Sequence, residues 1–224
     1  MCGIVGSRNP EKIFPLLDDV SKRGTRAYSV SLIDLQGYKL GLRAEVSDEY
    51  KSSLMKKDFK KILESGGDQI KNPYWIVHLQ SPTASNFSFH PARIDMDKYA
   101  LWHNGMLESA ELEKHKDANG IKPWDTQLLL QLLTAGDSLE ASGIIYQVPN
   151  LQQFNGSFAC LYLIRQQGLF AFRNRIAPMF YDSDGTVCSI MFKGAEKLLP
   201  NKVYCVPEMV AIRSFTNEYN PFGV

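Results

Sequence analysis

Runs of apolar and polar positions along the chain separate strands from helices. Cys2–Gly6 is a short apolar run between glycines and reads as a strand. From Pro10 onward, Ile13, Leu16, Leu17 and Val20 recur at helical spacing and predict an amphipathic helix. Tyr28–Asp34 alternates, Gln36-Gly37 marks a turn, and Tyr38–Leu42 reads as a second strand. Leu54–Leu63 predicts another amphipathic helix, rich in Lys. Tyr74–Gln80 and Tyr99–His103 are apolar runs of strand length, each leading into a polar loop. Asp125 is placed to cap a helix over Thr126–Leu133, and Leu139–Tyr146 predicts one more helix. After Gly156 the texture becomes a meander. Ser157–Arg165, Leu169–Arg173, Met179–Asp182 and Val187–Met191 read as strands between turn signals such as Gln167-Gly168 and Asp184-Gly185. A short helix near Lys193–Leu198 and two final strands complete the prediction.

The strands fall into an N-terminal and a C-terminal group, with helices between and around them. The fold that suits this pattern is α+β, a four-layer αββα sandwich of two packed, mainly antiparallel sheets. No repeat, low-complexity stretch or linker interrupts the 224 residues, so 1–224 is expected to be one domain. A formal net charge of +1 gives no electrostatic case for nucleic acid or an anionic membrane as partner. Apolar runs such as Ala159–Ile164 are far shorter than the roughly 20 residues a membrane span needs. No signal-peptide pattern opens the chain, which makes a cytoplasmic location the expectation.

The four cysteines show no CxxC spacing, so neither a zinc site nor a disulfide framework is predicted, and no metal or cofactor is expected. Cys160, Cys188 and Cys205 lie in apolar strand-like runs and read as core residues. Cys2 is different. Its small side chain permits removal of Met1, which would leave it a free α-amine with a pKa of roughly 7.7–8.0. Such an amine can take the thiol proton and later return it to a leaving amine, so nucleophile and base are one residue.

Met1-Cys2-Gly3-Ile4-Val5-Gly6 resembles the opening of class II glutamine amidotransferase domains, which are N-terminal-nucleophile (Ntn) hydrolases. Further blocks follow in the family's order. Lys22–Ala27 is similar to an Arg-Gly-x-Asp-Ala/Ser block, and Val77–Ala84 lies where the family has His-x-Arg-x-x-Thr. His90-Pro91, Trp102-His103-Asn104-Gly105, Trp124-Asp125-Thr126, Gly156–Ala159 and Arg173–Tyr181 each resemble a family segment. The resemblance implies an Ntn-hydrolase-like fold and hydrolysis of L-glutamine to glutamate and ammonia through a Cys2 γ-glutamyl thioester. It gives the oxyanion hole to the Asn104 side chain and the Gly105 N–H. Asp125 would meet the substrate α-ammonium, Thr83 its carboxylate, and Arg23 would support the nucleophile end of the site.

Gln80 stands where the family has an Arg that forks onto the substrate carboxylate. Three explanations stay open: Arg93 or Arg26 supplies the cation from elsewhere, glutamine binds weakly until a partner closes the site, or the substrate is another amide that lacks a free carboxylate there. Arg26 and Asn174 also replace acidic residues of the family pattern. The four histidines, His78, His90, His103 and His115, read as core or supporting residues, since the family chemistry does not use His as base. In the family, ammonia passes to a synthetase domain. None follows on this chain before Val224, so a separate acceptor-activating synthetase partner is expected. Two alternatives stay open: an Ntn-type amidohydrolase acting on another γ-glutamyl or linear amide, and a non-catalytic scaffold or regulatory subunit.

Overall fold

The computed structural model of the chain describes residues 2–46, 50–66, 69–81, 89–135, 151–152 and 154–221. The expected helix over Leu139–Tyr146 lies outside them. In order, the elements are β1 (Gly3–Ser7), α1 (Pro10–Ser21), β2 (Ala27–Asp34), β3 (Lys39–Val46), α2 (Ser52–Glu64) and β4 (Pro73–Gln80). Then come β5 (Ala92–Ile94), β6 (Tyr99–Leu107), α3 (Ser109–Lys114), α4 (Asp125–Thr134), β7 (Gly156–Ile164) and β8 (Gly168–Arg173). The chain continues with β9 (Phe180–Tyr181), β10 (Val187–Cys188), β11 (Glu196–Lys197), β12 (Lys202–Val206) and β13 (Val210–Ser214).

Two antiparallel sheets result, one ordered β11-β9-β10-β1-β4-β2-β3 and the other β13-β12-β8-β7-β6-β5. Side chains alternate across each strand, and both faces are covered. On β4, Trp75, Val77 and Leu79 pack with Ile13, Leu17 and Val20 of α1 and Met55, Phe59 and Ile62 of α2. Tyr74 and Ile76 point the other way, into a core shared with Trp102, Leu161, Leu163 and Ala171 of the second sheet. Leu128, Leu129, Leu130 and Leu133 of α4 cover that sheet's outer face against Tyr99, Leu101, Phe158 and Phe172. The layers are therefore α, β, β, α, as the hydrophobic pattern predicted.

The strand grouping needs correction. β9, β10 and β11 join the N-terminal sheet, because β10 pairs with β1 at Val5↔Cys188 and Gly6↔Val187. The helix expected near Lys193–Leu198 is also absent. Gly194 turns the chain at φ +79°, and Glu196-Lys197 pairs with Tyr181 and Phe180 as the edge strand β11. The α4 boundary shifts by one residue. Trp124 is the N-cap and makes no side-chain cap bond, so Asp125 sits in the first turn and is not the cap. An acidic side chain there still complements the helix dipole.

Candidate active site

β1 pairs with β4 antiparallel, with Gly3 opposite Leu79 and Ile4 opposite His78. Cys2 therefore lies beside Gln80 at the paired ends of the two strands. Both line an open cavity of about 780 Å³. Across the sandwich, β6 contributes His103, Gly105, Met106 and Leu107, the loop into α4 contributes Lys122, Pro123 and Trp124, and α4 itself contributes Asp125 and Thr126. Its lining combines polar groups, among them Gln80, His103 and Asp125, with the apolar Met106, Leu107 and Leu112.

Cys2 is buried, and that burial is the main influence on its thiol, pushing the pKa up. The Ser81 backbone works against this by hydrogen bonding, while the negative charge of Asp125 adds to it. The balance is a raised pKa, so the thiol needs a proton acceptor before it can act as a nucleophile at neutral pH.

Asn104-Gly105 is a strong hairpin dipeptide in isolation. Here it lies inside β6, paired with Ala159 and Phe158 of β7. Gly105 has φ +154°, a conformation that L side chains rarely adopt. A Cβ there would overlap the Ser157 carbonyl and come within 2.7 Å of His103 Nε2. Asn104, its neighbour, is fully buried, and neither its Oδ1 nor its Nδ2 has a hydrogen-bond partner among the described residues. Leaving a buried amide unpaired costs roughly 1–3 kcal/mol, so such a group calls for a reason. Asn104 sits just behind the cavity lining, between two residues that belong to it.

Asp125 accepts a hydrogen bond from Thr126 N at 2.8 Å through Oδ1, and its Oδ2 lies 3.8 Å from His103 Nδ1. The Thr126 hydroxyl joins two rings, at 3.0 Å from His90 Nε2 and 3.1 Å from His103 Nδ1. His103 Nε2 donates to the Ser157 carbonyl at 3.2 Å, and His78 Nε2 donates to the His103 carbonyl at 3.0 Å. With His103 neutral, one assignment satisfies the set: Thr126 donates to His103 Nδ1, and His90 donates to Thr126. His90 stacks on His78 with ring centroids 3.5 Å apart, and on its other side meets Trp124 at 4.9 Å. Burial holds the His78 pKa down to about 3 and that of His90 well below its ordinary value. The His78, His90 and His103 rings tie β4, β6 and α4 together beneath the cavity, the supporting role read from the sequence; His115, read in the same way, is instead exposed at the end of α3.

Arg23 does not line the cavity. Its guanidinium is half-buried near Cys188, with Nη1 lacking a partner among the described residues, and burial lowers its pKa. The next residue, Gly24, packs against the Gln80–Ser81 backbone so closely that a Cβ would come 2.6 Å from the Gln80 carbonyl carbon. Arg93 belongs to a second, shallower cavity of about 560 Å³ and bonds Asp97 at 3.1 Å, so it brings no charge to Cys2. Arg26 donates its backbone N–H to the Gln80 carbonyl at 3.1 Å, and its side chain is not part of the lining. Thr83 lies outside the described residues. Sequence reasoning missed Lys122, Met106, Glu108 and Leu112. Met106 lies near the end of β6, Glu108 and Leu112 belong to the start and body of α3, and Lys122 lies on the loop between α3 and α4; the sequence carries no motif for that segment.

Among solved structures, the chain is similar to the glutamine phosphoribosylpyrophosphate (PRPP) amidotransferase from B. subtilis complexed with ADP and GMP. That likeness has a TM-score of 0.63 at 18% identity and covers 95% of this chain and 49% of that one. The two chains share a fold. A second structure, described as the allosteric regulatory enzyme of purine biosynthesis, matches with TM-score 0.62 at 17% identity over 94% of this chain and 48% of its own. The chain thus spans about half the length of each. No family model and no curated protein sequence matches it. Cys2, Gln80, Gly105 and Asp125, which the sequence singled out, meet in one cavity of this fold. No group of three or more potential metal ligands occurs among the described residues, and no helix among them is long and apolar enough to cross a membrane.

Proposed function

We propose that this domain is a glutaminase of the class II amidotransferase type, with Cys2, freed of Met1, as nucleophile. The observation that carries the reading is the buried, unpartnered amide of Asn104, held next to Gly105 on the strand that packs across from β1. An amide donor kept unpaired next to residues that line a thiol-bearing cavity suits an oxyanion that exists only during reaction. The Cys2 α-amine takes the thiol proton, and the thiolate attacks the carboxamide carbon of glutamine. Asn104 Nδ2 and Gly105 N–H stabilise the tetrahedral oxyanion. The C–N bond breaks as the α-ammonium protonates the departing nitrogen, and ammonia leaves. Water then cleaves the thioester, giving glutamate and the free thiol.

Asp125 Oδ2, which lies 3.8 Å from His103 Nδ1, receives the substrate α-ammonium, and Thr83 contributes to binding the carboxylate. Arg23 acts at a distance, by bracing the Gly24 contact with Gln80–Ser81. Residues 1–224 serve as the ammonia-producing domain, and a separate synthetase subunit consumes the product. A second reading, the same chemistry on another γ-glutamyl or linear amide, is favoured by the neutral Gln80 in the lining. The test is release of ammonia and glutamate from L-glutamine by protein whose intact mass lacks Met1, beside its Cys2→Ala variant. Turnover that vanishes with the thiol supports the proposal. Turnover of other amides and none of glutamine selects the second reading.

A further inference from the structure

A free amino acid carries its α-ammonium and α-carboxylate on one carbon, so the groups that bind them must stand close together. The described cavity lining contains two carboxylates, Glu108 and Asp125, and a single Lys or Arg, which is Lys122. The residues outside the described set include no Lys or Arg. Lys122 stands three residues before Asp125, on the loop that enters α4. Its ammonium currently pairs with Glu113, and both side chains are about two-fifths exposed, at 42% and 43%. Exposed pairs of this kind contribute little, and Glu113 keeps Lys116 as a second partner. Lys122 is thus able to turn from Glu113 to a ligand at small cost.

We infer that Lys122, acting with the Gln80 amide, is the specificity-determining group that binds the carboxylate of the substrate. The inference rests on the amidotransferase reading above. Chemically, the pair divides the work of an arginine fork. Gln80 offers two neutral N–H donors and fixes orientation, while Lys122 supplies the positive charge on a flexible stem. Recognition built this way is less rigid than a bidentate fork and is sensitive to salt, since Lys122 is partly exposed.

Calorimetric titration of Met1-free Cys2→Ala protein with L-glutamine and with L-glutamine methyl ester, which lacks the negative charge, tests the inference without relying on turnover. The proteins compared are Cys2→Ala alone and the same protein carrying Lys122→Gln, Lys122→Arg or, as a control far from the cavity, Lys60→Gln. Loss of one charge-assisted contact predicts about tenfold weaker L-glutamine binding in Lys122→Gln. The expected companion results are near-parental binding in Lys122→Arg and Lys60→Gln, and methyl-ester binding that is the same in all four proteins. Equal glutamine affinity in the Cys2→Ala and Lys122→Gln proteins overturns the inference and leaves the amidotransferase reading standing. Failure of all four proteins to bind glutamine, with no glutamine turnover by the parent, overturns both.

Discussion

The core between the two sheets has two ends built on different terms. At the far end, Ile33, Tyr74, Leu163, Leu169 and Met179 fill the space, and the Tyr74 phenol donates to the Gly185 carbonyl at 2.8 Å. At the near end stand Cys2, His78 and Asn104. There a thiol has its pKa raised by burial, an imidazole is held neutral, and an amide has no partner among the described residues. The Tyr74 hydroxyl at the far end is paired, whereas the Asn104 amide at the near end has no partner among the described residues. Fold stability alone would favour an apolar side chain at Asn104, so the contrast marks where the structure is committed to something other than stability.

Four substitutions or conditions would break or sharpen that contrast. Gly105→Ala should have the largest effect, costing on the order of 4 kcal/mol or more, because its Cβ meets the Ser157 carbonyl at a strained φ. Chemical denaturation would show a collapsed midpoint, and an unchanged midpoint would mean that β6 relaxes freely. Leu163→Ala, at the far end, should destabilise by about 3 kcal/mol through transfer and cavity terms. Activity per folded molecule should stay near that of the parent. Asn104→Leu should do the reverse. Glutamine turnover should fall about 100-fold or more. Stability should hold or rise by about 1 kcal/mol, since the unpaired amide is gone. A large drop in melting temperature would instead make Asn104 structural.

The effect that is absent at neutral pH and grows only as acid is added follows from the buried histidines. His78 is held to about 3 against an ordinary 6.5, so between these pH values the unfolded chain binds a proton that the folded one refuses. Stability is therefore fully present above pH 6.5 and falls as the pH drops toward 3, by at most about 1.4 kcal/mol per pH unit for this one ring. Denaturant midpoints measured across that window should decline with acid, and the slope should lessen in His78→Gln. A flat profile would show that the ring protonates in place.

Elements with strong periodicity were legible in the sequence. Pro10–Ser21 places Ile13, Leu17 and Val20 inward as its spacing predicted, and Pro73–Gln80 is buried on both faces. Met179–Asp182 and Val187–Met191 were read as strands and contain β9 and β10. The sheet they join was not legible, because two-residue strands are placed only by pairing with β1 and with one another. That pairing also explains why Lys193–Leu198 misled: local helical preference lost to an open sheet edge and a glycine turn. At the site, Cys2, Gly105 and Asp125 were marked by residue type. Asn104-Gly105 taken alone predicts a turn, and its strand register comes only from β7. Lys122 had no local signal, since its significance is set by which other cations the fold keeps out of the cavity.

The most direct test of the central claim, that the Cys2 thiol and its own α-amine form one catalytic unit, compares two preparations of the same sequence. One has Met1 removed and the other retains it, each verified by intact mass, and both are assayed for glutamate release from L-glutamine. The account predicts turnover in the processed protein and loss of about 100-fold or more when Met1 acylates the amine and removes the base. Equal turnover in the two preparations would contradict it, placing the base on some other group of the cavity.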